Sequence, residues 1–204
     1  MRAIAILALL LSGCRPAAPP PAIDARLAER VPQDATAIAG FRPSAMHGLT
    51  PTLPDARYVL IAAADSAFVT MTLDADGKVN GGQPAGRGGR SALLAEAEKL
   101  AASYPAWAVL RGGTALPFPG TLANVNNLLR DAQMMTITAR MDDQVAVDLR
   151  ATCGSPESAS HLEGSLRAVL LLTKLTGSSQ VQRDGSTVHA SIAAPMEAAG
   201  RLIR

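Results

Sequence analysis

"MMTITARMDDQVAVDLRATC", Met134 to Cys153, alternates apolar and polar residues on either side of a pair of aspartates. Ile137, Ala139 and Met141 share one face of an extended segment, and Val145, Val147, Leu149 and Ala151 share one face of the next. Turn length decides how the two meet. A two-residue Asp142-Asp143 turn would oppose Met141 to Gln144 and set the apolar faces against each other. A three-residue turn ending at Gln144 pairs Met141 with Val145, Ala139 with Val147 and Ile137 with Leu149, and is the one expected. The alternation runs on to Cys153, which reads as a small buried apolar residue more than as a reactive thiol.

Outward from this hairpin the same logic repeats. "RYVLIAAADSAFVTMTL" (57–73) reads as two strands around Asp65-Ser66, with Tyr58 opposite Leu73, Leu60 opposite Met71 and Ala62 opposite Val69. "VQRDGSTVHASIA" (181–193) reads as a hairpin with an Asp184-Gly185 turn, which opposes Val181 to Val188 and puts Val188, Ala190 and Ile192 on the core face. "ATAIAGF" (35–41) and "AWAVLRG" (106–112) are single strands. A short helical turn is expected at Ser44–Leu49 and a short helix near Met196–Ile203, and three longer helices lie between the strands. Ser91 caps one whose stripe is Leu93, Leu94, Ala97, Leu100 and Ala101, ended by Pro105. Thr121 caps a second, with Leu122, Val125, Leu128 and Leu129 on one side. Ser155, Pro156 and Glu157 open the third, which presents Leu162, Leu166, Val169, Leu170 and Thr173, with Lys174 in its last turn and Gly177 as stop.

The fold class expected is therefore α+β, antiparallel sheet packed against helices. Strand, short helix, hairpin and longer helix recur in the same order in Ala35–Ser103 and Ala106–Thr176, which suggests two βαββα repeats of roughly seventy residues. On that reading 32–204 is a single domain with half-repeats 32–104 and 105–204.

Composition excludes some functions. The formal charge is +2 with no Lys/Arg cluster, so the electrostatic footprint of a nucleic-acid binder is missing. Six aromatic residues are a poor supply for sugar or base stacking, with Trp107 and Tyr104 the pair to watch. His47, His161 and His189 are scattered. His161 with Glu163 has the His-x-Glu of zinc deaminases without the Pro-Cys-x-x-Cys partner, and His189 alternates with inward Val188 and Ala190 and so points outward. No nucleophile elbow, zincin helix or dinucleotide fingerprint is present. Asp142-Asp143 sits in a turn. No catalytic residue, metal or cofactor is expected, and the chain does not read as an enzyme.

Asp74 to Arg90 is glycine-rich and reads as a long loop or a ragged edge hairpin. "DADGKVN" offers Asp74, Asp76 and Asn80 like a calcium loop, but Thr72 and Gln83 stand where ligands belong. "GQPAGRGGRS" lacks the Gly-Lys-Ser/Thr of a phosphate cradle. Arg87 and Arg90 remain the candidate ligand-binding residues of an anion-binding module built on the glycine-rich loop 77–91.

The amino terminus says where such a domain would live. Arg2 precedes an apolar run from Ala3 to Leu11, about half the length of a membrane span, and then Leu11-Ser12-Gly13-Cys14. These residues resemble the lipobox of bacterial lipoproteins. The resemblance implies that 1–13 is a signal peptide and that Cys14 is the lipidation site, acylated with palmitate or similar chains and first in the mature protein. Cys153 would then be the one thiol left, so no internal disulfide could form. Residues 14–31 are expected to be a Pro/Ala-rich tether, in which Pro16, Pro19, Pro20 and Pro21 favour extended polyproline II structure. Arg15, not aspartate, follows the cysteine, which leans toward the outer membrane. The run "VPQDATAIAGF" also resembles the opening of uncharacterised bacterial envelope proteins with α+β repeats. The expectation is a non-enzymatic interaction domain, lipid-anchored in the bacterial cell envelope and facing the periplasm, with an unknown envelope protein as partner and no nucleic acid.

Overall fold

The computed structural model describes residues 23–46, 55–64, 67–82, 91–116, 125–173 and 177–197. Its strands are β1 (Ala37–Phe41), β2 (Ala56–Ala64), β3 (Ala67–Asp74), β4 (Val79–Gly81), β5 (Ala106–Arg111), β6 (Ala132–Met141), β7 (Gln144–Cys153), β8 (Ser178–Asp184) and β9 (Thr187–Pro195). Its helices are α1 (Ala25–Ala28), α2 (Leu94–Ser103), α3 (Val125–Asp131) and α4 (Pro156–Thr173), with a 3-10 turn at Pro43–Ala45. The strands form one sheet in the order β4-β3-β2-β1-β5-β6-β7-β9-β8, and every neighbouring pair is antiparallel. The chain is thus α+β.

Two hairpins take the register their alternation predicts. Met141 pairs with Val145, Ala139 with Val147 and Ile137 with Leu149, leaving three residues in the turn. Tyr58 pairs with Leu73, Leu60 with Met71 and Ala62 with Val69. The third differs. Val181 pairs with Ala190 instead of Val188, and Asp184 with Thr187, so the turn is Gly185-Ser186. Gly185 takes a φ of +54°, the left-handed region that glycine enters without penalty. A slip of two residues preserves which face each side chain meets, so Val181, Val188 and Ala190 are still buried.

The two faces of the sheet are dressed by different helices. Ile38, Leu60, Met71, Trp107 and Val109 lie on one face and pack with Leu94, Ala97 and Ala101 of α2. Ala37, Leu110, Met135, Ala151 and Val188 lie on the opposite face and pack with Leu162 and Leu166 of α4 and Leu129 of α3. Ser155 Oγ accepts the Ser158 N–H at 3.2 Å and starts α4 as expected. Ser91 acts one turn before α2, its Oγ accepting the Leu93 N–H at 3.3 Å. Val169, placed on the packed side of α4 by its spacing, is 43% exposed, because the packed stripe runs through Leu162, Leu166 and Leu170 and Val169 lies at its flank. Thr121, Leu122 and Lys174 lie outside the described residues.

Of the tether expected over 14–31, residues 23–31 are described, and they belong to the folded domain. Ile23, Leu27 and Val31 are all buried against the first face. Asp24 caps α1 by accepting the Arg26 N–H at 2.9 Å. Four helical residues and one leucine seal the end of the core beside β3, a signal too short for periodicity to register.

β1 and β5 meet at the middle of the sheet and pair about Ala39 and Ala108. Arg42 N–H donates to the Pro105 carbonyl at one end of that ladder (3.0 Å), and Arg111 N–H to the Thr36 carbonyl at the other (2.8 Å). Each central strand is followed outward by a hairpin with a register shift at the same place: between Ala56 and Tyr58 opposite Asp74 and Leu73, and between Ala132 and Met134 opposite Cys153 and Thr152. The strand pairings of the two halves thus carry register shifts at matching places. The long helices do not match, since α2 and α4 lie on opposite faces.

A polar cleft on the open half of the sheet

Among the described residues α2 packs on the first face against β5 and β1, and that face is left open across β6, β7, β9 and β8. Cross-strand pairing sets its side chains in rows. One row is Thr136, Arg150, His189 and Gln182, and the next is Thr138, Asp148, Ser191 and Gln180. Glu96, Leu100 and Tyr104 of α2 and its C-terminal turn form a wall beside the first strand of this half. Floor and wall enclose an open cleft of about 720 Å³.

The cleft is polar by construction. The alternation that turns Ile137, Leu149, Val188 and Ala190 toward α4 turns the threonines, Asp148, Arg150 and His189 the other way. Thr138 is buried between the Trp107 and Asp148 positions, while Asp148, Arg150, His189 and both glutamines are exposed. Neither Asp148 nor Arg150 forms an ion pair among the described residues. Glu96 is held by Lys99 at 2.8 Å. The Arg140 guanidinium lies 4.9 Å from the centre of the Tyr104 ring and occupies one face of it.

Both edges of the sheet are covered by arginines. Asp74 N–H donates to the Lys78 carbonyl, so the alternate carbonyls of β4 turn outward, and Arg30 Nη1 donates to one of them, Gly81 O, at 2.9 Å. Arg26 bonds Gly77 O just before it. At the other edge Arg167 Nη2 donates to Val181 O at 3.3 Å, and Glu163 holds that guanidinium at 2.8 Å.

The other residues that the sequence singles out are dispersed. Cys14, His47, Arg87 and Arg90 lie outside the described residues. The described part of the glycine-rich stretch runs from Asp74, the last residue of β3, through a turn into the short edge strand β4, and Asp74 Oδ1 accepts the Lys78 N–H at 2.7 Å in that turn. His161 Nδ1 lies 2.6 Å from Asp131 Oδ2, joining α4 to the end of α3. Cys153 is buried nearby, and burial first, then the Asp131 charge, push its thiol up, which keeps it protonated. Among the described residues no group of three His, Cys, Asp or Glu is placed to hold a metal ion. Trp107 is buried, its Nε1–H donating to Tyr58 Oη at 3.0 Å. His189 points outward as expected, but into the cleft and opposite Arg150. What the alternation could not reveal is the wall, because α2 follows β4 and crosses under β1 and β5, a placement set by tertiary packing alone.

Compared with known protein families, curated proteins and solved structures, the chain matches none of them.

Proposed function

We propose that the protein is a lipid-anchored component of the bacterial cell envelope, acylated at Cys14, whose domain is a non-enzymatic contact module. The anchor reading rests on Leu11-Ser12-Gly13-Cys14 after a short apolar run. No helix among the described residues is long and apolar enough to cross a membrane. Acyl chains stabilise membrane attachment by about 0.8 kcal/mol per buried methylene, so more than one is needed for lasting attachment. The contact reading rests on one observation: among the described residues the open half-face of the sheet presents a polar cleft, while the arginines at both edges oppose strand addition. That face is proposed to meet an envelope partner in the periplasm, the outer membrane being the favoured site of anchoring.

The same reading takes β1-β2-β3 and β5-β6-β7 as copies of one duplicated unit. Matched bulges and the matched arginine bonds at the ends of the central ladder support it. So does the pairing of "AIAGFR" (37–42) with "AWAVLR" (106–111), which share Ala, Ala and Arg at equivalent places.

Labelling with palmitate tests the anchor. The wild-type chain is expected to take up label and enter the detergent phase, and Cys14→Ser to do neither. Equal labelling of both would overturn the anchor.

A further inference from the structure

The chemistry of the cleft floor points to a ligand carrying both charges. Arg150 and Asp148 are same-face neighbours on β7, so their Cα atoms stand about 6.5 Å apart, two strand residues. Both are without an ion pair among the described residues. The register places His189 across from Arg150 and Ser191 across from Asp148. One row thus carries the basic groups and the next a carboxylate, with hydroxyls and amides of Thr136, Thr138, Gln180 and Gln182 around them. Two extended residues of a peptide span the same distance, about 3.3–3.6 Å each. The volume of the cleft falls within the range of about 300–1,000 Å³ usual for small-molecule sites. A neutral sugar fits the floor less well, because the one aromatic ring in the wall has Arg140 on it.

We propose that this cleft binds a short zwitterionic peptide, its carboxylate at Arg150 beside His189 and its ammonium at Asp148. The proposal rests on the open face being the protein's contact surface. Water reaches the floor, so each charge pair is screened and the affinity is weak, with specificity residing in the two ends.

The full chain in detergent micelles, titrated with alanylalanine while amide spectra are recorded, tests this. Saturable shifts are expected at Asp148, Arg150 and His189, and acetylating the amine or amidating the carboxylate should each weaken binding by about fivefold. In Arg150→Ala, amidation should make no further difference. In Asp148→Asn, acetylation should make none. Both side chains are exposed, so unchanged spectra outside the cleft would verify the fold of each variant. Equal binding of the blocked and free peptides, absence of saturable shifts, or saturation by a neutral disaccharide instead would overturn the proposal. Crosslinks from this face to an envelope protein, with no peptide binding, would overturn the ligand class and leave the contact surface standing.

Discussion

Gly40 is where one residue decides the packing of many. On β1 it pairs with Leu60 on one side and Trp107 on the other, and the indole lies over it. A Cβ there would come within 2.5 Å of Trp107 Cζ2 and 2.7 Å of Tyr58 Oη, so Gly40→Ala must displace the ring that closes the core. We expect a loss of about 1–3 kcal/mol, read as a lower denaturant midpoint. Tyr58→Phe would strand the buried Trp107 N–H and should cost about 1–3 kcal/mol. Burial, opposed by the Trp107 hydrogen bond, pushes Tyr58 up to about 12. A phenol raised above its unfolded value near 10 contributes stability that is full below that value and lost as pH rises toward 12. Absorbance at alkaline pH should therefore show one of the two tyrosines ionising late, together with unfolding. Asp24 behaves oppositely. The Arg26 hydrogen bonds hold its carboxyl below the usual range despite some burial, so its contribution is present at neutral pH and lost as pH falls below about 4. Asp24→Asn should lower the midpoint at neutral pH and lose less on acidification. An equal acid loss in both chains would contradict that assignment.

At the scale of elements, the sequence carried the strands and most of the helices because an alternation is clear wherever one face of a strand is buried and the other is wet. The Met134–Cys153 hairpin is legible because Leu162 and Leu166 bury one of its faces and leave the other wet. Leu166→Ala should cost about 2–5 kcal/mol, and Val147→Ala less, since Val147 is only half-buried. The last hairpin misled because Asp-Gly and Gly-Ser turns both suit a two-residue loop, and the slip between them changes no face. α1 was hidden by its length. The edges were not legible either, because Arg167 reaches Val181 O only once α4 has packed beside β8. Removing that guard, as in Arg167→Ala, should expose the β8 edge and produce concentration-dependent self-association in sedimentation velocity. A monomer at every concentration would show that the arginine does not protect the edge.

In the whole molecule, the proposed contact role rests on what the helices leave uncovered. α2 and α4 lie on opposite faces, and the half-face that neither covers holds Asp148, Arg150 and His189 within one cleft. Each of those residues was readable as outward-facing, but their common site required the strand order β6-β7-β9-β8, which brings β9 between β7 and β8. The anchor motif and the cleft meet in one claim, that a tethered domain presents this face to an envelope partner. The most direct test places a photo-crosslinking residue at Gln182 or Ser191 in the cleft, and at Ala168 on the exposed side of α4, in cells producing the full chain. The account predicts a discrete crosslinked species from Gln182 and Ser191 and none from Ala168. Crosslinks from Ala168 alone, or equally from all three, would contradict it.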